Sequence, residues 1–203
     1  MWDERYATDE FVYGTEPNDF LKANTDKLKP GNVLCLADGE GRNGVFLAKL
    51  GFAVTSVDLS AVALKKARRF AEENGVKIKT VCADLDDFVI EPNHWDNIVS
   101  IFCNLPDPLR KKVHAAAADG LTEGGRFLLE AYTVRQLEMP GDGGPPVPEL
   151  MYSAAMLMQD FQSLDIVLAE EVDREIHEGL LHHGRSAVVQ LIAQAPRQAS
   201  IEK

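Results

Sequence analysis

Cysteine is scarce in this chain. Its three cysteines, Cys35, Cys82 and Cys103, form no C-x-x-C, and all fall in stretches predicted as buried strands. That excludes a disulfide framework or a finger-type zinc site and predicts small buried thiols in a reducing, cytoplasmic setting. Basic charge is also in deficit: 21 Lys and Arg stand against 32 Asp and Glu, a formal net charge of -11. Nucleic acids and anionic membranes require clustered cations, so neither is an expected partner. The one basic cluster, KKARR at Lys65–Arg69, reads as a solvated helix face. Apolar runs stay short of the roughly 18 residues that a membrane span needs, and MWDERYATDE at the start has no signal-peptide core. The histidines His177, His182 and His183 match no helical or finger spacing and read as exposed loop residues, so no metal is expected.

What the chain does have is alternation. After residues 1–30, which read as two short helical pieces around the loop Tyr13-Gly14-Thr15 with Pro17 in the second piece's first turn, the pattern becomes strand–helix. Strands are predicted at Val33–Ala37, Ala53–Asp58, Lys77–Cys82, Asn97–Phe102 and Arg126–Ala131. Helices are predicted at Arg42–Leu50, at Ala61–Asn74 capped by Ser60, and up to Gly120 from Asp107-Pro108, with Asp107 as the cap and Pro108 at the first position. Continuous apolar strands joined by helices imply a parallel sheet covered on both faces. The turn Thr122-Glu123-Gly124-Gly125 leads into the fifth strand. The Gly/Pro loop PGDGGPPVP at Pro140–Pro148, a short helix near Ser153–Phe161 and two strands, Leu164–Glu175 and Arg185–Gln194, then break the alternation. The last two strands are too close for a crossover helix, so they form a hairpin with one strand antiparallel to the rest. The expectation is one domain over 1–203, an α/β Rossmann-like, seven-stranded, mostly parallel sheet with a helical lid at 1–30 and a core at 31–195. Residues after Ala195 read as a frayed end.

The segment VLCLADGEGRNGVFLAKLGFAVTSVDLS, Val33–Ser60, carries the chemistry. A strand, a glycine-rich turn, a helix and a second strand ending in Asp58 place a nucleoside over the first strand, with a carboxylate near its ribose. Gly39-Glu40-Gly41-Arg42-Asn43-Gly44 fits the dinucleotide fingerprint literally, which makes an NAD-dependent oxidoreductase one reading. Against it, Asp38 and Glu40 place acid where a pyrophosphate needs amides or cations. The chain also lacks a Tyr-x-x-x-Lys pair and room for a separate substrate domain. S-adenosylmethionine has no phosphate and carries a sulfonium and an ammonium group.

In order, VLCLADGEG with GRNG, Val57-Asp58-Leu59-Ser60, Cys82-Ala83-Asp84-Leu85, Trp95–Val99 and Leu121–Gly125 resemble class I S-adenosylmethionine-dependent methyltransferases over nearly the whole chain. WDERY at Trp2–Tyr6, the Tyr13-Gly14 loop and Gly41–Asn43 resemble the tellurite-resistance-type members and, more distantly, thiopurine-type thiol methyltransferases. The resemblance implies that Gly39 and Gly41 line the methionine part of the cofactor. Asp58 would bind the ribose hydroxyls, with Leu59 against adenine. Asp84 would accept from the adenine amino group beside Ala83 and Leu85, and Asn104 would stand at the cofactor–acceptor boundary. Cys35 and Ala37 depart from the family, which has an acid and a glycine there. Trp2, Tyr6 and Tyr13 are candidates for an aromatic lid over the sulfonium. Tyr13, Tyr132, Arg135 and Tyr152 are candidates for the acceptor pocket. The expected partner is a small methyl acceptor, a thiol or chalcogen oxyanion, with the protein a monomer or weak homodimer and no general base named. A non-catalytic cofactor-binding protein is the other alternative.

Overall fold

The computed structural model describes residues 2–197. Seven strands form one sheet: β1 (Asn32–Leu36), β2 (Ala53–Asp58), β3 (Lys79–Cys82), β4 (Trp95–Ile101), β5 (Leu121–Tyr132), β6 (Asp165–Glu178) and β7 (His182–Gln194). Their order is β3-β2-β1-β4-β5-β7-β6. The first five are parallel, and β7 enters between β5 and β6 antiparallel to both, as the missing crossover requires. Alternate residues of β1 enter two separate apolar clusters. Leu34 and Leu36 pack with Val113 of α5 (Asp107–Gly120) and Leu157 of α6 (Ala154–Asp160). Val33 and Cys35 pack with Leu21 of α2 (Asp19–Ala23) and Leu47 of α3 (Arg42–Lys49). The period-two pattern thus buries both faces of a strand with little polar content. The two remaining α-helices among the described residues are α1 (Trp2–Tyr6) and α4 (Ala61–Glu73), the latter capped by the Ser60 hydroxyl, which accepts from Ala63 N at 3.0 Å.

Several expectations need correction. Pro17 precedes α2 rather than opening it; Asn18 is the cap, its Oδ1 accepting from Leu21 N at 3.0 Å. Asp107 is the first residue of α5 rather than its cap, and its carboxylate holds Arg110 and Lys111 instead. The turn Thr122–Gly125 lies inside β5 as a bulge, where pairing to β4 steps from Leu121 to Arg126. Cys82 is exposed on the edge strand β3, and Cys103 is buried just past β4 rather than within it. Within KKARR, Lys66 is not solvated: it is buried, donates to Thr8 O (3.0 Å) and Glu10 O (2.6 Å), and pairs with Glu40. His177, His182 and His183 lie in the hairpin strands, and His182 packs inward. The expected frayed end after Ala195 falls mostly outside the described residues.

Candidate active site

The chain runs from β1 outward to β3, then returns to β4 on the other side of β1. This leaves a crevice at the carboxyl ends of β1 and β4, where a doubly wound sheet binds ligands. A cavity of about 410 Å³ opens there, a size suited to a nucleoside-containing ligand. Ala37–Glu40, Asp58, Leu59 and Ala83–Leu85 line one half. Tyr13, Arg42, Phe102–Leu105, Gly144–Pro146 and His182 line the other.

The backbone is shaped at this crevice. Ala37, directly after β1, and Phe102, directly after β4, have φ of +49° and +52°, left-handed conformations that cost an L-residue about 1–2 kcal/mol each. The departure at Ala37 is therefore an alanine held where a glycine is unstrained. Gly39 (φ +56°) and Gly41 (φ +83°) have reasons within the protein as well. A Cβ on Gly39 would lie 2.8 Å from the Tyr6 hydroxyl, and one on Gly41 2.7 Å from the Ala67 methyl of α4.

Asp58 ends β2 with its carboxylate accepting from Gly39 N and Ser60 N, each at 2.8 Å. Burial raises its pKa, an effect these amide hydrogen bonds oppose. Leu59, next along, is 53% exposed and lines the cavity, while Asp84 uses Oδ1 to accept from Asp86 N at 2.9 Å. Neither acid of the turn presents a free charge to the cavity, so the argument from acidity against a pyrophosphate loses force. Glu40 pairs with Lys66 and accepts from Val12 N at 2.8 Å, fastening the N-terminal segment. Asp38 accepts from Ser56 Oγ (2.6 Å) and Gly44 N (3.3 Å), and burial raises its pKa to about 7.

A second buried network fastens the roof from the other side. Glu178 of β6 accepts from Arg42 (2.5 Å), Arg174 (2.9 Å) and Asn18 (2.9 Å), and Glu130 of β5 accepts from Arg174 Nε (3.0 Å) and Gln190 (2.6 Å). Leu180 N donates to Val12 O at 2.9 Å, which ties the hairpin tip to the Tyr13 loop.

Of the residues predicted for the site, Gly39, Asp58, Leu59, Ala83, Asp84, Leu85, Asn104 and Tyr13 line the cavity. Gly41 does not, being turned to α4. Arg135 is exposed and paired with Asp173, away from the cavity. Tyr152 is buried behind the wall, its hydroxyl accepting from Leu105 N at 2.6 Å and donating to Cys103 O at 2.9 Å. Tyr132 is buried beneath Gly143 and Gly144, stacked on Phe102 at 4.6 Å. Trp2, Arg5 and Tyr6 add an aromatic and cationic rim; Trp2 stacks on Tyr6 at 6.1 Å. Arg42 and His182 were missed. Arg42 looked like part of a glycine motif, and His182 lies 77 residues or more from every other cavity residue except the Gly144–Leu150 loop, so no local spacing marks it. Among the described residues, no cluster of three His, Cys, Asp or Glu could hold a metal. No helix among them is long and apolar enough to cross a membrane.

Residues 33–125 match the family model for a methyltransferase domain. An uncharacterized methyltransferase, YbaJ of Bacillus subtilis (strain 168), is 39% identical over 79 residues, 38% of this chain and 31% of that protein. The chain spans less than half the length of each of the curated relatives it matches here. Among solved structures, one concerns the conversion of a disulfide bond into a thioacetal group during echinomycin biosynthesis. It superposes with a TM-score of 0.76 at 20% identity, over 98% of this chain and 92% of that one. TehB from Haemophilus influenzae gives a TM-score of 0.71 at 20% identity, over 96% and 65%.

Proposed function

From a chain that carries a methyltransferase domain and the class I S-adenosylmethionine-dependent methyltransferase fold, we propose that the protein is itself such an enzyme and methylates a small molecule in this cavity. The observation that carries the reading is Asp58, a carboxylate fixed at the end of β2 by two amide hydrogen bonds and opening on the cavity beside an exposed Leu59. The donor set fits the cofactor. Asp58 offers two acceptor oxygens to a ribose diol, and Leu59 with Ala83 and Leu85 offers apolar cover for a planar base. Asp84 keeps Oδ2 for an exocyclic amine.

Bound there, S-adenosylmethionine would supply an electrophilic methyl group on a sulfonium, leaving S-adenosylhomocysteine. The residues of the chain align and dehydrate. The Glu40–Lys66 pair holds Val12 and Tyr13 over the crevice, and the Arg42–Glu178 pair holds the hairpin tip against them. Trp2–Gly14 are thus the roof, while Phe20, Leu21 and Leu28 beyond them pack on a face of the sheet, and holding reactants in line in a water-poor site is worth on the order of 7–11 kcal/mol. The resemblance of Trp2–Tyr6, the Tyr13-Gly14 loop and Gly41–Asn43 to tellurite-resistance-type and thiopurine-type enzymes supports a thiol or chalcogen acceptor.

Calorimetric titration with S-adenosylhomocysteine tests the reading. Binding is expected, and Asp58→Asn is expected to weaken it by about 100-fold, since hydrogen bonds to a charged group are worth about 1.5–3 kcal/mol each. Tighter binding of NADH than of S-adenosylhomocysteine would overturn it.

A further inference from the structure

The acceptor half of the cavity has polar groups that the fold leaves unused. His182 stands at the start of β7 in a cluster of rings drawn from three other segments. Tyr13 lies 4.5 Å away by ring centroid, Phe102 4.8 Å edge-on and Tyr132 5.5 Å edge-on. Its Nδ1 is sealed from solvent without a hydrogen-bond partner, and the ring makes no other hydrogen bond among the described residues. A proton on Nδ1 would be a buried N–H with nothing to donate to, so the neutral ring carries its hydrogen on Nε2, the nitrogen left accessible.

Asn104 is complementary. Its Nδ2 donates to Phe102 O at 3.2 Å, which orients the amide and leaves Oδ1 buried and unpartnered. The other lining here includes the apolar Phe102, Leu105, Pro145, Pro146 and Leu150, three of them rigid rings suited to a planar molecule. The cation deepest in this half, Arg42, is already matched by Glu178 and donates also to Glu16 O at 3.3 Å.

We propose that this half of the cavity binds an uncharged, flat acceptor carrying a thiol or hydroxyl group. A polar atom on it accepts from the accessible His182 Nε2–H, and a shift of the Asn104 amide brings the sealed Oδ1 out to accept from the acceptor's S–H or O–H. The inference rests on the methyltransferase reading and narrows it away from chalcogen oxyanions, because among the described residues the buried cation of this half, Arg42, is matched by Glu178, and the rim cation Arg5 is exposed and donates to the Tyr13 hydroxyl. His182 is then a neutral donor and not a base; the acceptor's S–H or O–H proton passes to water as its sulfur or oxygen takes the methyl group and S-adenosylhomocysteine is left. The charged and titratable groups around it are Arg5 of α1, Arg42 of α3, and Arg174 and Glu178 of β6, with Tyr13 and Tyr132. Burial first and Arg42 second lower its pKa to about 4, so it stays neutral at physiological pH.

Catechol and selenite are the probes, each titrated into the protein with and without S-adenosylhomocysteine. Catechol is expected to bind and selenite not to compete. His182→Phe, which keeps the ring packing, and Asn104→Leu are each expected to weaken catechol about tenfold, as loss of one buried hydrogen bond predicts. Selenite binding tighter than catechol, or catechol binding unchanged in both variants, overturns the proposal. Nitrogen-15 NMR of His182 needs no ligand: the Nε2–H tautomer is expected throughout about pH 5–8, and an Nδ1–H ring or a titration within that window overturns it. Failure of S-adenosylhomocysteine to bind would instead count against the methyltransferase reading, and the catechol and NMR results would still decide this one.

Discussion

Removing Glu178 is the sharpest test of how the roof is held. Its carboxylate is 4% exposed and serves Arg42, Arg174 and Asn18 together. In the native protein the buried charges balance, Glu130 and Glu178 against Arg42 and Arg174. Glu178→Ala leaves Arg174 with Glu130 but strips Arg42, itself 7% exposed, of the one carboxylate it pairs with among the described residues. An uncompensated buried charge costs about 3–5 kcal/mol. At about 2–4 °C per kcal/mol for a domain of this size, the melting temperature should fall by roughly 6–20 °C. The double variant Arg42→Met/Glu178→Ala should recover part of that loss, because the orphan charge is gone. There is a pH signature as well. Burial opposes the Glu178 charge, but Arg42 and Arg174 win and hold its pKa below the ordinary 4.5. A carboxylate with a depressed folded-state pKa stabilises above its unfolded value and loses that contribution as pH falls below it. Wild type should therefore weaken more steeply than Glu178→Ala below about pH 4.5 in thermal melts followed by circular dichroism. A loss under about 1 kcal/mol, or a double variant equal to the sum of the singles, would refute the account.

Three other outcomes follow from the same geometry. Ala37→Gly should raise stability by about 0.5–1 kcal/mol in urea denaturation, since relief of the left-handed strain exceeds the entropy glycine adds to the unfolded chain; a loss would mean that φ here is not strained. The Asp38 pKa, raised by burial to about 7 from an ordinary 3.8, means that its contribution is complete at low pH and is lost as pH rises toward 7. Asp38→Asn should thus melt higher than wild type at about pH 8, with the gap closing near pH 4, and a constant difference would contradict the burial argument. Arg135→Ala should leave S-adenosylhomocysteine and catechol affinity unchanged and shift stability by no more than about 0.5 kcal/mol, because among the described residues its exposed guanidinium meets only Asp173 and the Met139 sulfur.

The scarcities that opened the reading, of cysteine, basic charge and long apolar runs, bounded the partners, and the local signals fixed most elements. The strands and helices from Asn32 to Gly120 follow period and caps because each is decided within its own dozen residues. The hairpin was legible from a gap too short for a helix, and Asp58 from its position at a strand end. Boundaries slipped where tertiary contacts compete with propensity: Pro17 yielded the cap to Asn18, and the Thr122–Gly125 turn became a bulge once β4 paired on both sides of it. What the sequence alone determined was the sheet and the crevice it must leave. The occupants of that crevice depended on the packing of distant segments. Lys66 and Glu40 lie 26 positions apart and Arg42 and Glu178 136 apart, and His182 meets Tyr13 and Phe102 only once the hairpin closes over the N-terminal loop. Charge compensation and ring packing act through space, at separations along the chain that no local period records. Thus the acidic turn that seemed to face a ligand turned out to be the clasp of the roof above it.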